Sequence, residues 1–444
     1  MPRGRSVRIG KCLFVNKVLA DEMAKWDKCG LEVADGQALD LAAWEAYIAL
    51  PMSSIIDTLE IPLDNILVID DYESVCNFRC RMCYVRRTRE QLEADGKGLI
   101  DWRDWLSLAK TCADSGMLYL LLTGGEPFLY PHFRELYEAL HDAHILLSIN
   151  TNGSLINEGT VEWLKKRSPT RVNITLYGAS PETYGRVCGN PDGYARAVNA
   201  IRMLRQAGIP VVINASMIPE NAGDLEDIVS FGKSLGINTR VCTYMFPPAR
   251  REREEGDSRF TPEEAAAVAL RRQRCQMSPD AYREQLTRNV EAIKKAEAAL
   301  SGGNSAADAV GDGDWGSADA DPSGPVEHMN CRAGRCSFWV SWEGKMSACG
   351  MLPFPVETYP FRDPFSECWQ TLTDAVRTSP VLDECRGCSK RDICHPCVAM
   401  LYAEQGDVNK KAPYLCRLAG EIYRLYCDEV AAWQADGMKK GGKI

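Results

Sequence analysis

Apolar residues recur along this chain in two rhythms. Runs of five to seven residues, rich in Val, Ile and Leu, fall at 66–70, 117–123, 145–150, 171–176, 211–217 and 239–244. Between them, at 101–115, 133–143, 158–166, 194–207 and 225–235, apolar residues return every three or four positions. Short apolar runs bounded by turn residues read as strands covered on both faces, and the longer rhythm reads as helices with one buried side. Their alternation predicts parallel strands joined by helical crossovers. Six such units predict an α/β fold, a partial (β/α)6 TIM-like barrel rather than a closed eight-fold one. Chemistry is then expected at the C-terminal strand ends.

The rhythm changes on either side of this region. Residues 1–64 contain one expected helix, at 39–50, and no clear strand–strand signal. Residues 261–300 read as helices, opened by Thr261-Pro262-Glu263-Glu264 as N-cap and first turn. Residues 301–327 are rich in Gly, Ala, Ser and Asp and lack Lys and Arg, so a mobile linker is expected there. The remainder reads as loop-rich and cysteine-rich, closing in an amphipathic helix at 415–435. The expected organisation is an N-terminal segment (1–64), a barrel (65–246), a helical connector with an acidic linker (247–327) and a cysteine-rich domain (328–444).

Charge and hydropathy narrow the function classes. The net charge is −9 with no strongly basic block, which argues against nucleic acid as a partner. The N-terminal apolar stretch 12–20 is broken by Asn16 and Lys17, and no run reaches the roughly 18 apolar residues of a membrane span. A soluble, cytoplasmic protein is expected, with no membrane partner. Nineteen cysteines are then anomalous, because a reducing cytosol disfavours disulfides and clustered thiols there point to metal. Eleven fall into two groups; Cys12, Cys29, Cys112, Cys188, Cys242, Cys275, Cys368 and Cys427 read as small buried apolar residues.

The first group is Cys76, Cys80 and Cys83, spaced by three residues and then two, just after the first strand. It offers three thiolates and no fourth. Electron-transfer iron–sulfur cubes are closed by four cysteines, so a cube held by three leaves one iron open to a small molecule. A zinc knuckle is the competing reading of such a short pattern. The next strand ends in Thr123-Gly124-Gly125-Glu126-Pro127. Paired glycines let a ligand approach the backbone, and Glu126 can accept hydrogen bonds from an ammonium group.

With these motifs the chain resembles the radical S-adenosylmethionine (SAM) superfamily. The resemblance implies a [4Fe–4S] cluster on Cys76, Cys80 and Cys83, with SAM on the open iron. It implies that Gly124, Gly125 and Glu126 contact the methionine moiety of SAM, and that Thr175 on the fourth strand contacts its ribose. Asn150 and Asn152 end the third strand, and Arg186 and Arg196 are rival partners for the SAM carboxylate. The family usually has an aromatic residue before the third cysteine; here it is Met82, whose thioether can pack on adenine in its place. One-electron cleavage would give methionine and a 5′-deoxyadenosyl radical, which abstracts hydrogen from an unactivated carbon. An external donor such as flavodoxin or ferredoxin would supply the electron.

The second group is Cys331, Cys336, Cys349, Cys385, Cys388, Cys394, Cys397 and Cys416. Its Cys-x2-Cys pairs also suit zinc ribbons. Behind such a barrel the tail resembles the SPASM domain, which carries two auxiliary [4Fe–4S] clusters and brings the cluster count to three. The resemblance implies Cys331, Cys336, Cys349 and Cys397 on one cluster and Cys385, Cys388, Cys394 and Cys416 on the other. Two spacings depart from the family: Cys394 and Cys397 are two residues apart rather than three, and Cys336 is one residue closer to Cys331. His395 reads as a neighbour of the cluster rather than a ligand. Family members mostly modify peptides or proteins, so a peptide-modifying maturase is the expected function. A sulfatase-maturase-type or small-molecule oxidoreductase and a non-enzymatic iron–sulfur or zinc scaffold are the alternatives. A hydrogen-donating cysteine would suit an epimerase, and Cys188, Cys242 and Cys275 lie in or near the barrel. The short N-terminal segment, without strand pairing, speaks against a leader-binding winged helix.

Overall fold

A computed structural model describes residues 76–84, 100–248, 258–300, 333–351, 355–379 and 382–435, with the backbone alone at 7–9, 12–14, 66–70, 301 and 436–441. The expected helix at 39–50, the linker at 302–327 and Cys331 lie outside the described residues. Strands β1 (Val7–Ile9) and β2 (Cys12–Phe14) form an antiparallel ribbon with Val7 opposite Phe14. This pairing corrects the expectation of no strand–strand structure near the N-terminus. Strands of three residues are too short to display the period-2 alternation by which a sequence announces them.

The main sheet runs β3 (Ile66–Asp70), β4 (Tyr119–Thr123), β5 (Leu146–Thr151), β6 (Arg171–Thr175), β7 (Val211–Ser216) and β8 (Asn238–Cys242), all parallel and in chain order. The crossovers are α1 (Trp102–Asp114), α2 (Phe133–Asp142), α3 (Glu158–Lys166), the pair α4 (Pro181–Cys188) and α5 (Asp192–Gln206), and α6 (Leu225–Ser234). Local chemistry sets their ends. Asp101, Asn157 and Ser180 each cap a helix by accepting a backbone N–H, and α4 stops at Gly189, whose φ of 67° suits glycine. Helices α7 (Pro262–Gln276) and α8 (Pro279–Ser301) follow, α7 opening with the Thr261–Glu264 capping box.

The C-terminal region does not stand apart from this sheet. Strand β9 (Ser337–Ser341) pairs parallel to β3, with Ser337 opposite Ile66, and β10 (Met346–Ser347) folds back antiparallel on β9. Beyond them come α9 (Phe365–Arg377), two single turns, α10 (Asp383–Arg386) and α11 (Arg391–Cys394), then α12 (Val398–Gln405) and α13 (Pro413–Gly441). The region is more helical than its sequence promised. Ala266 and Leu270 of α7, Leu286 and Val290 of α8, and Ile422, Tyr426 and Val430 of α13 share one apolar cluster, which joins the connector to the tail.

The two faces of the sheet differ. On β7, Val211, Ile213 and Ala215 are buried with Ala197, Ile201, Ile228 and Val229 of the helices, while Val212, Asn214 and Ser216 are half-exposed. On β8, Thr239 and Val241 are buried, while Asn238 and Arg240 are exposed. A closed TIM barrel fills its interior with packed aliphatic layers. In this partial barrel the concave face carries polar side chains, reached by solvent along β7 and β8 while Ser148 and Asn173 on β5 and β6 are buried, and the apolar core lies between strands and helices.

Candidate metal centre

The loop carrying Cys76, Cys80 and Cys83 lies past the C-terminal end of β3 and is fastened on three sides. Its Arg79 and Arg81 amides donate to the Cys188 and Val187 carbonyls at 2.7 and 3.0 Å, satisfying acceptors that the end of α4 leaves open. Phe78, buried beneath the loop, meets the Tyr184 ring edge-on at 6.3 Å. Asn152 Nδ2 donates to Asn77 Oδ1 at 2.8 Å, and Asn77 Nδ2 donates to Ser154 Oγ at 2.7 Å. Asn152 Nδ2 also lies 3.7 Å from Cys76 Sγ.

Gly193, at the start of α5, makes room for Phe78. A Cβ there would lie 2.5 Å from Phe78 Cζ. Gly193→Ala is therefore expected to cost about 1–3 kcal/mol by overpacking and to lower iron retention at this loop. Denaturant midpoints and iron counts on variant and parent would check this; an unchanged midpoint would show that Phe78 moves aside freely.

Burial pushes the Cys76 thiol up to about 12, with Cys80, Glu126 and Cys83 adding in the same direction against a backbone hydrogen bond at Phe78. The thiols thus sense one another, and Cys76 keeps its proton at neutral pH unless a cation replaces it. Among the described residues no three His, Cys, Asp or Glu side chains are gathered tightly enough for a single metal ion. A cube asks for less, because each thiolate ligates a different iron. Three half-buried thiols on one loop, without a fourth, fit a cluster with an open iron. Met82 beside them is half-buried against the main core.

The glycine loop follows β4. Gly124 has φ 142°, a conformation that other residues rarely adopt, and both glycines are half-exposed. Glu126 is held from within the fold. It is 0% exposed. Its Oε1 accepts from Thr151 Oγ1 at 2.7 Å and from the Phe128 amide at 3.3 Å, and its Oε2 accepts from the Asn152 amide at 2.8 Å. The carboxyl straps the ends of β4 and β5 together.

Burial also pushes Glu126 up to about 7 from 4.5, against the three hydrogen bonds. The folded chain therefore holds this proton through a pH range in which an unfolded glutamate has lost it. Stability from this group is complete below about 4.5 and is lost as pH rises to about 7. The unfolding free energy of the parent minus that of Glu126→Gln is expected to fall by up to about 3 kcal/mol across that window. Chemical denaturation at several pH values reads it; a flat difference would contradict it.

Further along the concave side, Asn150 donates to Thr123 Oγ1 at 3.2 Å and Asn173 donates to Asn150 Oδ1 at 2.7 Å, a polar row across β4, β5 and β6. Thr175 is half-buried, with Oγ1 3.5 Å from the Thr151 carbonyl. Of the two rival arginines, Arg186 is held by Thr183 Oγ1 at 3.0 Å and the Glu220 carbonyl at 3.4 Å, and Arg196 is exposed on α5. Neither lies on a strand of the concave face. Cys188 is fully buried in the core, and the Cys242 and Cys275 thiols donate to nearby carbonyls of Tyr244 and Arg272.

In the tail, burial pushes the Cys394 thiol up to about 12, with Cys416, Cys388 and Cys385 adding to it. Cys385 is raised by burial first and then by Cys416 and Cys388. These four cysteines therefore lie near one another, Cys385 on α10, Cys388 in the turn after it, Cys394 on α11 and Cys416 on α13. Cys336 and Cys349 flank the β9–β10 hairpin, and Cys397 is the N-cap of α12. His395 sits at φ 44° after α11, and burial lowers its pKa.

A buried polar joint ties the tail to the barrel mouth, and nothing in the sequence pattern marked it. Tyr244 and Arg259 both donate to Glu404 Oε1, at 2.7 and 2.8 Å, and the Arg259 guanidinium lies 3.8 Å from the Tyr414 ring centre. Cys394 packs against the small apolar cluster around Tyr244 and Leu401.

Comparison with known proteins adds to this geometry. Residues 74–232 match the Radical SAM superfamily. The chain is 24% identical over 351 residues to the AdoMet-dependent heme synthase of Methanosarcina barkeri, spanning 76% of this chain and 93% of that one. It is 28% identical over 162 residues to the PqqA peptide cyclase of Ruegeria pomeroyi, which is 36% of this chain and 42% of that one. The chain thus spans nearly all of the first relative and under half of the second. In fold it is similar to Streptococcus suis SuiB bound to its precursor peptide SuiA, with a TM-score of 0.56, 17% identity and coverage of 90% of this chain and 87% of that one. Among the described residues no helix is long and apolar enough to cross a membrane.

Proposed function

We propose that this chain, a radical SAM enzyme by the match of its residues 74–232, abstracts hydrogen from a peptide or protein and so installs a post-translational modification. The observation that carries the reading is the three-cysteine loop past β3, beside the glycine turn after β4, on a sheet whose concave face carries polar side chains and is reached by solvent along β7 and β8. Such a chamber admits an extended chain where a packed barrel would not. The relative named as a peptide cyclase and the fold of a peptide-bound neighbour support the same reading.

When bound, a [4Fe–4S] cluster and SAM supply one-electron cleavage to a 5′-deoxyadenosyl radical. In this reading Cys76, Cys80 and Cys83 hold the cluster, Gly124 and Gly125 offer backbone to the SAM methionine, and Glu126 fixes that turn. Met82 packs on the adenine and Thr175 meets the ribose. Cys385, Cys388, Cys394 and Cys416 hold one auxiliary cluster and Cys331, Cys336, Cys349 and Cys397 the other, giving three. Flavodoxin or ferredoxin supplies electrons in the cytoplasm, whose reducing environment keeps the thiols available.

A second reading, oxidation of a small molecule, is favoured by one observation: the match to the heme synthase spans 93% of that protein. Reconstituted enzyme with SAM, reductant and peptides encoded beside its gene separates the two. Hydrogen loss or a crosslink in a peptide, matched by 5′-deoxyadenosine, supports the first reading. Turnover confined to small molecules would replace it with the second.

A further inference from the structure

The turn after β5 presents Asn152 to the cysteine loop. Gly153 follows it at φ 75°, and a Cβ there would lie 3.1 Å from Ile174 Cγ2, so glycine keeps the turn tight. The Gly153 amide donates to Thr151 Oγ1 at 3.0 Å. Asn152 is buried, with its backbone N–H and both ends of its side chain engaged. The backbone N–H donates to Glu126 Oε2 at 2.8 Å. Its Oδ1 accepts from the Ser154 amide at 2.9 Å, and that donor settles which end of the side-chain amide is oxygen. Nδ2 therefore faces the loop, with Asn77 Oδ1 at 2.8 Å and Cys76 Sγ at 3.7 Å. Each of its two hydrogens has one acceptor.

A neutral thiol is a weak acceptor and a thiolate a stronger one. The contact to Cys76 therefore strengthens when that sulfur carries charge, as it does on a cluster, and strengthens again when an added electron makes the cluster more negative. We infer that Asn152 is a positioning residue for the metal centre: its side-chain N–H holds the Cys76 sulfur and raises the reduction potential of the cluster bound there, while its backbone N–H holds the Glu126 carboxyl beside the glycine turn. One residue thus ties the cysteine loop to that turn and eases entry of the electron on which SAM cleavage depends. The Cys76 sulfur also takes a backbone N–H at Phe78. A side-chain substitution leaves that bond in place, so loss of the Asn152 donor shifts the potential without releasing the ligand. The inference rests on the reading of Cys76, Cys80 and Cys83 as cluster ligands.

The test is a mediated redox titration of the full, anaerobically reconstituted chain, followed by electron paramagnetic resonance. The signal of this cluster is the one that disappears when Cys76, Cys80 and Cys83 are replaced by alanine. Asn152→Ala is expected to lower its midpoint, so that at a given solution potential the reduced-to-oxidised ratio falls about tenfold, or about 59 mV for a one-electron couple. Ser154→Ala is the control. It removes the acceptor of Asn77 Nδ2 but keeps the backbone N–H that orients Asn152, and the midpoint stays where it was. If Asn152→Ala does not fold, Asn152→Asp carries the test: it keeps an oxygen for the Ser154 amide, loses the donor, and lowers the midpoint at least as far. A midpoint unmoved by loss of the Asn152 donor, or moved equally by Ser154→Ala, overturns the inference. A chain that shows the shift yet modifies no peptide would defeat the proposed function and leave this inference standing. A chain with no signal lost on removal of the three cysteines overturns the inference and the cluster together.

Discussion

Replacing Cys76, Cys80 and Cys83 together with alanine is expected to abolish reductant-dependent SAM cleavage while about eight irons stay bound in the tail. The reason is geometric. These three thiols belong to one loop pinned to α4, whereas Cys385, Cys388, Cys394 and Cys416 gather from α10, the turn after it, α11 and α13. The backbone bonds from Arg79 and Arg81 to Cys188 and Val187, and the buried Phe78, do not depend on the thiols, so the triple variant should fold. Tail substitutions are expected to behave oppositely, keeping uncoupled SAM cleavage and losing product. Iron counting and chromatography of 5′-deoxyadenosine read both. Residual cleavage in the triple variant, or loss of all iron from a folded triple variant, would contradict this division of labour.

Glu404→Ala is expected to cost about 3–5 kcal/mol, because it leaves the Arg259 charge sheltered and unpaired. The side chains of Arg259 and Glu404 are 19% and 9% exposed. Glu404 also accepts from Tyr244, just past β8, while Tyr414, under the Arg259 guanidinium, lies two residues before Cys416. The joint thus links the barrel mouth to the cysteines of the tail, and tail iron should be released at lower denaturant than in the parent. Glu404→Gln keeps an acceptor for one donor and should cost less. A loss under about 1 kcal/mol for the alanine variant would show that solvent reaches the pair.

The barrel was legible because its sheet pairs neighbours in chain order, so local rhythm alone ordered it. The run 66–70 and the helix 158–166 coincide with β3 and α3, whose apolar spacing is regular and whose ends carry clear caps. Helix α4 escaped notice: eight residues interrupted by Gly185 and closed by Gly189 give too few turns for a rhythm to emerge. The pairing of β9 with β3 was equally hidden, since it joins residues some 270 apart along the chain, and no local pattern names a partner so distant. At the site, the cysteine spacings and the glycine run were readable as chemistry. The internal partners of Glu126 were not readable, because a sequence shows a carboxylate but not what surrounds it; Thr151 and Asn152, which hold it, come from the end of the next strand.

The most direct measurement is anaerobic reconstitution of the full chain with iron and sulfide, followed by iron counting and assay with SAM and a strong reductant. The account predicts about twelve irons and reductant-dependent 5′-deoxyadenosine, lost when Cys76, Cys80 and Cys83 are removed. A reconstituted, folded chain that keeps zinc in place of iron, or that forms no 5′-deoxyadenosine under strong reduction, would contradict it.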